Sequence, residues 1–172
     1  MKEMEMDIPF RVGFGYDSHI FENGKVLRLG GVEIPGESGL KAHSDGDVVI
    51  HALIDALFGA AAMGDIGSHF PDTDAKWKGA DSAFLLSSAV SELDSAGWKV
   101  GNVDITVICE RPRIRPYADA MRKRLADLLG VDAGAVSLKG KTNEKMDDVG
   151  AGLGIEVHAV AMLVNLRAFR SV

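Results

Sequence analysis

The stretch GLKAHSDGDVVIHALIDALFGAAAMG, residues 39–64, changes character halfway along. Gly39 to Asp47 is polar and glycine-containing, and reads as a loop. From Val48 to Ala62, Val49, Leu53, Leu57 and Ala60 recur at three- and four-residue steps. That spacing builds one buried face of an α-helix. Asp45 or Asp47 supplies the carboxylate that caps its first turn, and Gly64 stops it. An apolar helix face of this length needs a partner layer.

The flanking sequence provides that layer. Upstream, Phe10 to Tyr16 reads as a strand ending in Asp17-Ser18-His19. Val26 to Val32 reads as a second strand, closed by a turn at Pro35-Gly36. Downstream, Asp65 to Gly79 is a long loop rich in Gly, Asp and Pro, of the kind that serves function in a compact domain. A helix over about Asp81–Ser95 stops at Gly97. Trp98 to Glu110 is extended, with Val103, Ile105 and Val107 on alternate positions. Arg111 to Pro116 is a basic loop stiffened by two prolines. A third helix, about Tyr117–Leu129, ends at Gly130. Val136 to Lys141 is a strand leading into Thr142-Asn143-Glu144, and Ile155 to Leu166 is a last apolar strand. The order β-β-α-α-β-α-β-β predicts an α+β fold, a single-domain α/β sandwich with helices packed on a mixed β-sheet. Pattern alone leaves the strand order open. Residues 1–9 read as a flexible N-terminal extension and residues 10–168 as the domain.

Composition sets the outer limits. The chain has 172 residues, enough for one well-buried core, with 47% hydrophobic and 26% charged residues. A net charge of −6 argues against a nucleic-acid surface but not against phosphate ligands held by local arginines, backbone N–H groups or a metal. Cys109 is the single cysteine, so no intrachain disulfide forms and a reducing compartment fits. Met1 to Pro9 lacks a secretory apolar core. Val48 to Met63 carries His51 and Asp55 and is too short and polar to span a bilayer. A cytoplasmic location with no nucleic-acid or membrane partner is expected.

The chemistry concentrates at a strand tip and a helix. Asp17 and His19 lie two apart, so both side chains leave a strand on the same face. His51, one turn into the helix, is a third candidate. Two imidazoles and one carboxylate make a three-ligand set that suits zinc and leaves a fourth position open, as in catalytic centres. Asp-x-His by itself is a weak signal. The same residues read equally well as a hydrogen-bonded helix histidine and a turn-capping aspartate. Asp47 and Asp55, four residues either side of His51, can each accept its second ring N–H or serve as a cap or solvated charge. Arg111, Arg113 and Arg115 alternate, which in an extended stretch sends all three to one side to meet phosphate. His69 reads as a surface histidine, and His158 as a core or interface residue.

The ordered motifs Ala42-His43-Ser44-Asp45-Gly46-Asp47-Val48 with His51-Ala52-Leu53, Gly64-Asp65-Ile66-Gly67, Phe70-Pro71-Asp72-Thr73-Asp74, Gly101-Asn102-Val103-Asp104, Arg111-Pro112-Arg113 and Lys141-Thr142-Asn143-Glu144-Lys145 closely resemble the 2-C-methyl-D-erythritol 2,4-cyclodiphosphate synthase family. The resemblance covers roughly residues 11–166. It implies a homotrimer with active sites between subunits. It also implies a metal-assisted, intramolecular phosphoryl transfer of the non-mevalonate isoprenoid pathway. There the 2-phosphate of 4-diphosphocytidyl-2-C-methyl-D-erythritol 2-phosphate attacks the β-phosphorus and releases CMP.

Carried over by position, Asp17, His19 and His51 match the ligands of one Zn²⁺ per subunit. Glu144 matches the carboxylate of a second ion, Mg²⁺ or Mn²⁺. His43 and Thr142 match the residues that stabilise the transition state. Substrate contacts implied in the same way run through Asp17, Ser18, His19, His43 and Ser44. They continue at Asp65, Ile66 and Gly67, and at Phe70, Pro71, Asp72, Thr73 and Asp74, the loop for the methylerythritol part. Cys109, Glu110, Arg111, Pro112, Arg113, Ile114 and Arg115 match the cytidine diphosphate segment, joined by Lys141, Thr142, Asn143 and Glu144. Asp148 and Ala151 complete the set. The stretch Asp147 to Gly154 departs from the family's Gly-Phe-Thr-Gly-Arg-Gly-Glu-Gly. Asp148, Ala151 and Leu153 replace its phenylalanine, arginine and glutamate, the last two of which line a threefold channel, so phosphate binding there does not carry over. The competing readings are a zinc hydrolase giving linear products and a catalytically silent nucleotide-binding trimer.

Overall fold

A computed structural model describes residues 8–169. The extension expected over residues 1–9 lies, up to Asp7, outside the described residues. The regular elements are β1 (Phe10–Leu29), β2 (Val32–Leu40), α1 (Val48–Ala61), α2 (Ile66–His69), α3 (Ser82–Ala96), β3 (Trp98–Ile108), α4 (Ala118–Leu129), β4 (Val136–Lys141), α5 (Asp147–Gly150) and β5 (Gly154–Asn165). Setting aside the two four-residue helices, this is the expected order of strands and helices. The five strands line up as β2-β1-β5-β3-β4. Only β3 and β4 run parallel, so the sheet is mixed.

The first two strands depart from expectation. Residues 10–16 and 26–32 do not form separate strands. One 20-residue strand runs through both, pairing with β5 over Phe10–Ile20 and with β2 from Phe21 onward. The hairpin turn is at Gly30-Gly31, both with positive φ, which only glycine adopts readily. Pro35-Gly36 instead falls inside edge strand β2. The register slips there, with Leu27 facing Ile34 and Val26 facing Ser38. A proline without an N–H and an extra residue are tolerated at such an edge bulge.

Helices α1, α3 and α4 cover one face of the sheet. Alternation along β1 sends Gly13, Gly15, Asp17 and His19 toward α1, and Val12, Phe14, Tyr16 and Ile20 to the uncovered face. A Cβ on Gly13 would lie 2.0 Å from the Ala56 carbonyl oxygen, and one on Gly15 would lie 1.9 Å from that of Ala52. Helix and strand therefore touch backbone to backbone, with Ala52, Ala56 and Ala60 lining the contact on the helix side. The helix is buried nearly all round rather than on one face. His51, Asp55 and Gly59, at four-residue steps, form its one less-buried stripe. Phe58, Leu53 and Leu57 are fully buried, each stabilising the fold by roughly 1.5–3 kcal/mol relative to exposure. Among the described residues no helix is long and apolar enough to cross a membrane.

Candidate metal centre and substrate cleft

The backbone contact between α1 and β1 sets the distance between the strand tip and the helix. It brings Asp17 Oδ2 within 3.0 Å of His51 Nδ1 and 3.1 Å of His19 Nε2, while the two ring nitrogens stand 3.3 Å apart. Among the described residues, Asp17, His19 and His51 form a group that could hold a metal ion. A tetrahedral ion with N and O donors at about 2.0–2.1 Å places neighbouring donors about 3.3 Å apart. The three atoms thus fit one face of a zinc tetrahedron, and the structure brings the three expected residues together. Burial acts to raise the Asp17 carboxyl. Hydrogen bonds and charge from His19 and then His51 outweigh it and hold the group well below the usual carboxylate range.

The far nitrogen of His51 is held by residues other than those expected. Nε2 lies 3.0 Å from Ser44 Oγ and 3.1 Å from Ser82 Oγ. Ser82 donates its hydroxyl to Asp45 Oδ1 at 2.5 Å, which leaves its oxygen free to accept from the imidazole. This chain places the His51 hydrogen on Nε2 and frees Nδ1 as a ligand. Neither the Asp47 nor the Asp55 carboxylate hydrogen-bonds the His51 ring; Asp47 meets His51 only through its backbone carbonyl, which accepts from His51 N at 3.0 Å. The Asp47 side chain accepts from Gly30, Gly31 and Ile50 amides, so it caps α1 and ties down the β1–β2 turn. Burial pushes its carboxyl up despite those bonds. Asp55 Oδ1 accepts from Ile66 N at 2.8 Å and so tethers α2 to α1. Asp45 is not the helix cap. Ser82 escaped the sequence reading because, beside the capping Asp81, it looks like an ordinary helix start, and nothing local links it to a histidine 31 positions away.

Above the metal group opens a cleft of about 470 Å³, lined among others by His43, Ser44, Asp55, Ile66, Gly67, Phe70, Asp72 and Trp77. The loop 65–79 is not structureless. Besides α2 it contains a 3₁₀ turn, Ala75–Trp77. Asp65 and Asp74 direct their carboxylates at their own loop, to Ser68 N and Lys76 N, and Pro71 and Thr73 do not line the cleft. His43 O accepts from Gly79 N at 2.8 Å, closing the loop onto residue 43.

A second cleft, about 370 Å³, lies between Cys109–Arg115 and Gly140–Thr142, and its lining includes Cys109, Glu110, Arg113, Arg115, Lys141 and Thr142. Cys109 N bonds Lys141 O at 3.0 Å, extending the β3–β4 pairing, and Ile114 packs over Gly140. Burial, then Glu110 and Glu37, push the Cys109 thiol up to about 12, so the sulfur is a packing group. The three arginines do not share a side. Arg113 and Arg115 line this cleft, whereas Arg111 lies over Phe21 in a groove with Lys145 and Ala151. The chain turns at Pro112, which breaks the alternation. Glu110 accepts from Asn143 N and Lys145 N, holding a turn in which Glu144 has positive φ and its carboxylate accepts from Thr142 Oγ1 at 2.9 Å. Ser18 and Asp148 lie together in a third depression, on the uncovered side of β1 and β5. His158 is on that face too, not in the core, 3.1 Å from Glu156 and edge-on to Tyr16.

Comparison with known proteins bears on both clefts. Residues 10–164 match the family model of the YgbB family. The chain is 54% identical over 153 residues to the 2-C-methyl-D-erythritol 2,4-cyclodiphosphate synthase of Brachyspira hyodysenteriae, covering 89% of this chain and 97% of that one. A solved cyclodiphosphate synthase with bound CDP superposes with a TM-score of 0.82 at 37% identity, over 89% of this chain and 99% of the other. The bifunctional IspDF of Campylobacter jejuni superposes at 0.89 with 38% identity, over 94% of this chain, which spans 44% of that longer protein. The chain belongs to the YgbB family, and within it to the 2-C-methyl-D-erythritol 2,4-cyclodiphosphate synthases.

Proposed function

We propose that this chain converts 4-diphosphocytidyl-2-C-methyl-D-erythritol 2-phosphate to 2-C-methyl-D-erythritol 2,4-cyclodiphosphate and CMP, with zinc on Asp17, His19 and His51. The observation that carries the reading is the set of three donor atoms 3.0–3.3 Å apart beside a cleft closed by the 65–79 loop. When bound, zinc supplies a Lewis acid with an open position for a phosphate oxygen. Asp17, His19 and His51 hold it, and Ser44, Ser82 and Asp45 fix the tautomer of His51. His43 donates a hydrogen bond to a phosphate oxygen as charge builds there. Asp72 bonds a hydroxyl of the methylerythritol unit, and Ile66, Gly67 and Phe70 exclude water around it. Arg113 and Arg115 bind the cytidine diphosphate in the second cleft, with backbone groups of the same segment reading the base. Thr142 would bond the diphosphate, and Glu144, whose carboxylate accepts from Thr142 Oγ1, would hold Mg²⁺ or Mn²⁺ and so bring charge neutralisation to it. The substrate brings its own nucleophile, so the protein's task is alignment and charge neutralisation.

The metal group and the cytidine segment lie in separate clefts of one chain. A homotrimer in which one subunit's first cleft faces its neighbour's second would complete the site. The uncovered face of β1 and β5 supports this: Val12 is 69%, Phe14 61% and Ile20 57% exposed. We place the catalytic domain at residues 10–168, in the cytoplasm. Incubation with substrate, zinc and magnesium, followed by ³¹P NMR, should give one cyclic diphosphate and CMP. A linear product would favour a hydrolase. CMP release that survives complete metal removal would overturn the role given to the metal group.

A further inference from the structure

His69 does not behave as a surface histidine. Its side chain is 19% exposed, and its ring lies flat on Phe58 of α1, with centroids 3.8 Å apart and planes 13° from parallel. Nε2 is 2.8 Å from the carbonyl oxygen of Met63, and Nδ1 is 2.8 Å from Glu92 Oε2 on α3. A carbonyl oxygen and an ionised carboxylate both only accept. Nε2 therefore carries the hydrogen that Met63 O accepts, while the Glu92 carboxylate lies against the other ring nitrogen and pairs with the ring when it is protonated.

The position of this ring gives it a consequence for the site. His69 is the last residue of α2 and precedes Phe70, which meets Trp77 edge-on at 5.0 Å; both aromatic rings line the substrate cleft. The Asp65 and Asp74 carboxylates bond within the loop, to Ser68 and to Lys76 N. Outside help reaches the loop at its ends, where Asp55 holds Ile66 N and His43 O holds Gly79 N. His69 fastens the middle.

We propose that His69 is a positioning residue: a pin, joined to α3 through Glu92 and to the end of α1 through Phe58 and Met63, that holds the Asp65–Asp74 loop where it covers the substrate. The proposal rests on reading that loop as the cover over the methylerythritol part.

The test uses the zinc-loaded full chain with His69→Gln and, separately, Glu92→Gln. Glu92 sits on the half-exposed rim of α3, so that variant keeps the fold if His69→Gln does not. Amide hydrogen exchange of residues 65–70, without substrate, should quicken in both variants. KM for the cytidine-linked substrate should rise about tenfold, the loss of one polar anchor, while kcat changes by less than about twofold. Unchanged exchange in both variants would overturn the pin. Faster exchange with unchanged KM would leave the pin standing and overturn the loop's role as the substrate cover. A fall in kcat at constant KM would instead make His69 part of the chemistry and overturn the positioning role.

Discussion

Ser82 is the side chain whose removal best separates support of the metal from ligation of it. It is fully buried, bonds Asp45 and His51, and touches no donor position of the metal group. Ser82→Ala should keep the fold and weaken zinc binding about tenfold, as loss of a ligand's hydrogen-bond partner does. Competition with a chromogenic chelator reads this directly, and unchanged affinity would mean Ser44 alone orients His51. Asp17 makes a second, pH-dependent contribution. Its carboxyl sits below its ordinary value of 3.8 in the folded, metal-free protein. Its stabilisation is therefore fully present above that value and is lost as the pH falls through it toward the folded value. Asp17→Asn should flatten the fall in the urea midpoint of metal-free protein below about pH 4. An equally steep fall in the variant would show that other carboxylates dominate. The candidate ligands were legible because Asp17 and His19 share a strand face and His51 opens a helix, but only the family resemblance separated them from a capping aspartate and an ordinary helix histidine. Their supports were not, because Ser82 and Asp45 reach His51 only through the packing of α1 against α3.

Helix α1 and strand β1 carry the site as a pair, and their contact depends on two missing side chains. Gly15→Ala puts a carbon where the Ala52 carbonyl oxygen lies 1.9 Å away, and both are backbone positions that cannot swing aside. The helix must lift from the strand, and this should cost about 2–3 kcal/mol by overpacking. It should also weaken zinc binding, because His51 moves with α1 while Asp17 and His19 stay on β1. Thermal unfolding with and without zinc measures both effects; a variant as stable as the parent with full zinc affinity would contradict the close contact. Periodicity identified α1, α3, α4, β3, β4 and β5 to within a residue or two at most ends. It failed at β1 because residues 17–25 are mostly polar and the chain passes there from one partner strand to another. A strand that changes partners shows no single alternation. The Gly30-Gly31 turn was hidden for the same reason, between two stretches that looked like one strand and a loop, while Pro35-Gly36 offered the more conventional turn signal.

Among the described residues three helices cover one sheet face and none covers the other. Phe14, Val12 and Ile20 on β1 and Val160 on β5, 41% exposed, form an apolar surface beside His158 and Tyr16. In the proposed trimer a neighbour on this face is required for turnover, but not for zinc binding, since Asp17, His19 and His51 come from one chain. The two properties should therefore separate in one variant. Phe14→Asp adds a charge to the bare face without entering the core, because Phe14 is 61% exposed and points away from α1. Desolvating an unpaired carboxylate in an assembled interface costs several kcal/mol, enough to dissociate most subunits at assay concentrations. Light scattering should fall from a trimer mass to a monomer mass. CMP release should drop by at least about a hundredfold, while zinc content per chain stays at one. A monomeric variant with full turnover would place the complete site within one chain, and a variant that remains trimeric would move the interface away from the β1–β5 face.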